Sequence, residues 1–239
     1  MTDRIRLHYA PDNASLVIRL ALEELGIPYD TILVDRSTKA QDSAGYRAIN
    51  PNGLIPAIET AHGAIFETAA ILLWLDEMRP GTLAPPPGAP LRGDFLKWLV
   101  FLSNTLHAAL RINFYTEKYI DPLPGHVEAL RNGATRDLSR HLSTLDAAAG
   151  NGVFGGEAIT MIDIYLCCML RWMAIYPTGK TEWFDLEAWP SLRAAAIRMD
   201  QRDSTAKAII AEGLGAAPFS NPVLPDPPEG SATGGVLDR

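Results

Sequence analysis

The sequence predicts an α+β chain in two unlike parts, an α/β unit followed by an all-α helical bundle. Three observations carry this. From Arg4 to Met78, apolar periods of two and of about 3.6 residues alternate. Beyond Pro90 only the helical period remains. Between the two, Thr82–Pro90 holds four prolines and reads as a linker.

Ile5, Leu7 and Tyr9 are spaced by two and open the chain as a strand. Ala14 to Leu25 is helical, with Leu16, Leu20 and Leu25 on one side and Gly26 as its C-terminal stop. Tyr29 to Asp35 is strand-like, with Ile32 and Val34 inward. A helix over Ser43–Ile49 ends at the Asn50-Pro51-Asn52-Gly53 turn. Short strands at Ala57–Glu59 and Ala64–Phe66 flank a His62-Gly63 turn, and a helix from Ala69 to Met78 follows. The order is β-α-β-α-β-β-α. In the second part Phe95, Leu99, Leu102, Leu106 and Leu110 recur at helical spacing and predict one long helix. Further helices are expected over His126–Ala149, Met161–Ile175, Ser191–Met199 and Ser204–Ala211. Gly215 to Arg239 contains five prolines and four glycines and is expected to be a poorly anchored, solvated tail.

Composition excludes several function classes. A chain of 239 residues buries a core without disulfides or a structural metal. Its net charge of −7 argues against nucleic acid as the main partner. Stretches free of charged residues run to 13, against the roughly 20 that a membrane helix needs, so no membrane partner is expected. Asp3, Arg4 and Arg6 leave no room for a signal-peptide core. Cys167 and Cys168 are adjacent, which forbids ordinary disulfide geometry, and two thiols alone make no zinc site. A reduced, cytoplasmic, metal-free protein is the expectation.

Four segments can carry chemistry, and each has a structural alternative. In Gly53-Leu54-Ile55-Pro56-Ala57 the proline either starts a strand in trans or, in cis, turns the Ile55 N–H and C=O toward an extended peptide ligand. Thr68 after Glu67 is a helix N-cap, or else its hydroxyl binds a carboxylate while Glu67 pairs with an amine. One of Asp12, Asn13 and Ser15 is expected to cap the first helix, leaving the others free to line a thiolate or anion site. His107, beside Leu106 in the long helix, reads alone as a bystander. Thr160–Asp163 resembles a capping box and sets a helix.

Together, Asn50-Pro51-Asn52-Gly53-Leu54-Ile55-Pro56, Glu67-Thr68-Ala69-Ala70-Ile71-Leu72 and the Thr160–Asp163 box resemble those of glutathione transferases, over about Arg4 to Leu214. Leu7-His8-Tyr9-Ala10-Pro11 and Leu106-His107 are similar to the bacterial beta class. The resemblance implies a thioredoxin-like α/β domain over 1–80, a linker over 81–90, an all-α domain over 91–214 and the tail over 215–239. It also implies a two-fold homodimer and glutathione as co-substrate. Ile55, beside a cis Pro56, would hold the cysteinyl backbone, and Glu67 and Thr68 the γ-glutamyl end. Lys39 would approach the glycyl carboxylate and His107 the same or a neighbouring site. The chain departs from the beta class at Ala14, where that class carries a cysteine, and at Val100 and Thr105 in place of asparagine and glutamate. Protein–glutathione disulfide chemistry is therefore not expected. Glutathione supplies the reacting sulfur, with Ser15 ranked first as its donor, Asn13 second and Tyr9 third. The expected activity is transfer of the thiolate to small apolar electrophiles. The alternative is a binding or interaction protein of the same fold without efficient chemistry.

Overall fold

A computed structural model of the chain describes residues 4–226. Strand β1 (Ile5–Tyr9), helix α1 (Ser15–Leu25) and strand β2 (Tyr29–Leu33) form a β-α-β unit in which β1 and β2 pair in parallel. Parallel neighbours need a crossover, and α1 supplies it. After α2 (Ala44–Arg47), strands β3 (Ala57–Thr60) and β4 (Gly63–Phe66) form a hairpin whose first strand runs antiparallel to β1, Leu7 opposite Ile58. The sheet order is β2-β1-β3-β4. Helix α3 (Thr68–Met78) completes a thioredoxin-like domain with the expected element order.

An all-helical domain follows. Helix α4 (Arg92–Phe101) passes through a widened π-helical turn at Leu102–Leu106 into α5 (His107–Phe114). Phe95, Leu99, Leu102, Leu106 and Leu110 are all buried, so one apolar stripe runs the whole length. Helices α6 (His126–Ala148), α7 (Met161–Ile175), α8 (Pro190–Asp200) and α9 (Asp203–Glu212) complete the domain. Helix α7 is its axis, buried from Met161 to Met173. It starts in the expected capping box: Thr160 Oγ1 accepts from the Asp163 amide at 3.4 Å, and Asp163 Oδ2 accepts from the Thr160 amide at 2.9 Å. Among the described residues, no helix is long and apolar enough to cross a membrane.

Two expected caps are absent. Helix α1 has no side-chain cap; its first turn is closed by the Leu16 amide donating to the Asn13 carbonyl at 2.8 Å. Asp12 has been drawn away by partners on the far side of the domain joint. Thr68 is the first helical residue of α3 rather than its cap, and that helix also starts without a side-chain cap.

The tail is corrected more substantially. Residues 215–226 are docked, not solvated. Phe219 is fully buried, and the Asp200 carboxylate accepts the Phe219 and Ser220 amides at 2.8 and 3.0 Å. The buried Arg171 guanidinium donates to the carbonyls of Leu214, Pro218 and Val223 at 3.1, 3.2 and 2.9 Å. Asp226 donates its amide to the Gly213 carbonyl at 2.9 Å, where Gly213 has φ +66° and a Cβ would lie 2.1 Å from the Asp226 carbonyl oxygen. The part of the expected tail beyond Asp226 lies outside the described residues. Removing 215–239 strips the Phe219 plug and leaves two guanidinium donors short of acceptors. The loss is expected to reach at least about 3 kcal/mol, seen as a fall in Tm of several degrees. A truncated chain that melts with the full one would contradict this docking.

Candidate active site

A cavity of about 810 Å³ opens between the two domains. On the thioredoxin-like side it is lined by Asn13 from the β1–α1 loop, Arg36 after β2, the Asn50–Pro56 turn, and Glu67 and Thr68 at the start of α3. The turn is built by short-range hydrogen bonds. Asn50 Nδ2 and the Tyr46 hydroxyl each donate to the Leu54 carbonyl at 2.7 Å, and Asn50 Oδ1 accepts from the Asn52 amide at 3.1 Å. Gly53 has φ +63°, and a Cβ there would meet the Gln41 carbonyl oxygen at 3.0 Å, so this position requires glycine. The Ile55–Pro56 bond is cis. Among the described residues no group of the protein pairs with the Ile55 amide or carbonyl, so both are available at the cavity wall. Glu67 sits at φ +73°, a conformation costly for a non-glycine residue and concentrated at functional sites.

The helical side contributes His107 and Arg111 from α5, Tyr115 and Lys118 beyond it, and Tyr165 and Trp172 from α7. His107 Nδ1 lies 2.7 Å from the Tyr165 hydroxyl, which also faces Thr68 of the other domain. Burial, with a smaller contribution from Arg111, pushes the His107 imidazolium pKa down to about 4. The ring is therefore neutral at physiological pH. With Nδ1 accepting from the Tyr165 phenol, whose own pKa burial raises, Nε2–H is left as the second donor. The unfolded chain takes up the His107 proton near pH 6.5 and the folded chain only near 4. Stability present at neutral pH is thus lost as pH falls from about 6.5 toward 4. The imidazole proton resonance of His107 is expected not to titrate between about pH 8 and 5.5; a midpoint near 6.5 would show a solvated ring.

At the cavity wall lies the reason Asp12 does not cap α1. Its buried carboxylate accepts from Arg171 Nε at 2.8 Å and a second guanidinium nitrogen at 2.9 Å, from Trp172 Nε1 at 3.0 Å, and from the Tyr176 hydroxyl at 2.8 Å. Its amide donates to Glu212 Oε2 at 2.8 Å, and Glu212 Oε1 accepts from Arg19 Nε at 2.6 Å. Burial pushes the Glu212 carboxyl up, partly offset by Arg19. Asp12 itself is held at φ +52°. The loop that carries Asn13 is therefore held by the helical domain through Asp12 as well as by the start of its own helix.

The structure separates the expected site residues into two groups. Asn13, Ile55, Pro56, Glu67, Thr68 and His107 line the cavity. Ser15, ranked first as thiolate donor, does not: it is fully buried, and its hydroxyl donates to the Ala10 carbonyl at 3.1 Å and accepts from the Ala10 amide at 3.3 Å. A hydroxyl has one proton, and this one is used. Tyr9 is likewise off the wall, its ring 4.7 Å beneath the Arg19 guanidinium. Lys39 is exposed and also absent from the lining, whereas Arg36 is present. Among the described residues, the Asn13 side chain has no protein partner, which leaves its amide NH₂ free to donate. Arg36, Arg111, Tyr115, Lys118, Tyr165 and Trp172 were not foreseen. Only Arg111 had a signal, standing four residues after His107 and so on the same helix face.

Residues 14–78 match the family model described as Glutathione S-transferase, N-terminal domain, and residues 128–195 match the Glutathione S-transferase, C-terminal domain. A protein of Xanthomonas campestris pv. campestris named Glutathione S-transferase GST-4.5 is 28% identical over 216 residues, covering 88% of this chain and 100% of its own length. The solved bacterial beta class glutathione S-transferase of Sphingomonas chungbukensis is 30% identical with a TM-score of 0.71, over 87% of this chain and 98% of that one. A sphingomonad glutathione S-transferase complexed with glutathione is 29% identical with a TM-score of 0.70, over 88% and 100%.

Proposed function

This chain belongs to the glutathione S-transferase family, and from that premise we propose that it transfers the glutathione thiolate to small electrophiles with an apolar body. The observation that carries the proposal is one wall on which an unpaired Ile55 backbone, Glu67 with Thr68, and the open Asn13 amide share a cavity. An extended tripeptide has a need for each of these. The Ile55 N–H and C=O pair with its cysteinyl backbone as an added strand would. Glu67 takes the γ-glutamyl ammonium, and Thr68 with the open first turn of α3 takes the adjoining carboxylate. Arg36 takes the glycyl carboxylate in place of Lys39.

The chemistry requires an ionised sulfur, since the thiolate rather than the thiol is the nucleophile. Position 14 is alanine, so the protein offers no sulfur of its own there. Cys167 and Cys168 are fully buried, and burial pushes both thiols well up, away from reactivity. The sulfur is that of glutathione. Asn13 donates to it beside the uncapped first turn of α1, whose dipole favours negative charge. The thiol proton leaves to solvent, a sulfur lone pair forms the new C–S bond, and the leaving group departs with its bonding electrons. The second substrate lies against α5 and Tyr115. Calorimetry with glutathione and turnover of 1-chloro-2,4-dinitrobenzene test this reading together. Binding with turnover is expected. Binding without turnover across a broad electrophile panel would instead select the binding-protein alternative.

A further inference from the structure

The helical wall carries positive charge that glutathione, seated as above, does not use. Arg111 and Lys118 both line the cavity and both lie over one ring: the guanidinium carbon is 5.9 Å and the ammonium 4.6 Å from the Tyr115 centroid. Arg111 spends Nε on the Tyr119 hydroxyl at 3.0 Å, which fixes the guanidinium while leaving its terminal nitrogens free. Among the described residues neither cation has a carboxylate partner. Glu117, between them in sequence, turns instead to Arg131 at 3.3 Å. The acids elsewhere on the cavity wall are already committed. Asp12 is saturated by Arg171, Trp172 and Tyr176, and Asp42 pairs with Arg47 at 2.8 Å. Glu67 belongs to the opposite wall.

A neutral aromatic substrate lying against α5 and Tyr115 leaves these two cations without a counter-charge. An aromatic substrate bearing a carboxylate takes the same place and supplies that charge. The guanidinium fork matches both carboxylate oxygens, and such charge-assisted bonds are about twice as strong as neutral ones. We propose that Arg111 and Lys118 form a carboxylate subsite, so that the second substrates of this chain are aromatic acids. The inference rests on the glutathione reading of the opposite wall.

Calorimetry at low salt on the full chain tests it with four ligands: glutathione, S-benzylglutathione, and its 3-carboxybenzyl and 4-carboxybenzyl analogues. In the wild type, at least one carboxylated conjugate is expected to bind about tenfold tighter than S-benzylglutathione. In the double variant Arg111→Gln/Lys118→Gln that ratio is expected to fall to within about twofold. Equal or weaker binding of both carboxylated conjugates in the wild type overturns the subsite while leaving the glutathione reading intact. So does a preference that survives the double variant. Failure of all four ligands to bind overturns both. The wild-type comparison needs no variant, and Lys118→Gln alone alters an exposed side chain, so the test does not depend on the double variant folding.

Discussion

Replacing Arg171 by Met is expected to lower the unfolding free energy by about 3–5 kcal/mol, because it leaves a buried carboxylate without its counter-charge. For a domain pair whose total stability is on the order of 5–15 kcal/mol, that is a large share. Arg171 is fully buried and closes three connections at once: to Asp12 in the thioredoxin-like domain, to the carbonyls of residues 214–223, and through its own helix to the core. Urea denaturation should show the midpoint falling with little change in slope. The same loss should weaken glutathione affinity, since Asp12 precedes Asn13 in the loop that Arg171 holds. Adding Asp12→Leu to Arg171→Met is expected to recover part of the stability, because the orphaned charge is then gone. A single variant within about 1 kcal/mol of wild type would mean that the pair is not what joins the domains.

The second large effect is at Asn13. Asn13→Ala removes the one side-chain donor that the β1–α1 loop presents to the cavity. It is expected to raise the pKa of the bound glutathione thiol by about one unit, equivalent to roughly 1.4 kcal/mol, and to cut kcat/KM about 10- to 100-fold. Ser15→Ala should leave that ionisation where it is. Its cost falls on stability, at about 1 kcal/mol, since its hydroxyl serves only the Ala10 backbone. The reverse pattern, with Ser15→Ala shifting the pH–rate profile and Asn13→Ala silent, would return Ser15 to the first rank.

What was legible in the sequence was whatever depends on near neighbours. The Thr160–Asp163 box spans four residues and the Asn50–Pro56 turn seven, and both form where the residue types place them. The alternation of strand and helix periods gave the element order for the same reason. The largest failures are long-range. Nothing in the loop sequence says that Asp12 has partners 159 to 164 residues away, or that they outcompete the local cap. Ser15 occupies the position that a motif would favour, yet its hydroxyl turns back five residues to Ala10. Composition made residues 215–226 look unable to fold alone, which is a different matter from docking. Their backbone carbonyls find a guanidinium that is invisible to any count of apolar groups. Lys39 and Arg36 are three residues apart, and only the path of the chain after β2 decides which of them reaches the cavity.

In the proposed reaction glutathione supplies the reacting sulfur and this chain holds it ionised. Ultraviolet titration of the bound thiolate from about pH 5 to 9 tests it most directly, with free glutathione as reference and the Asn13→Ala variant in parallel. The wild-type midpoint is expected about one to two units below the free thiol value near 8.5, moving back toward it in the variant. A bound thiol that ionises at the same pH as free glutathione would rule out this activation and leave a protein that only binds glutathione.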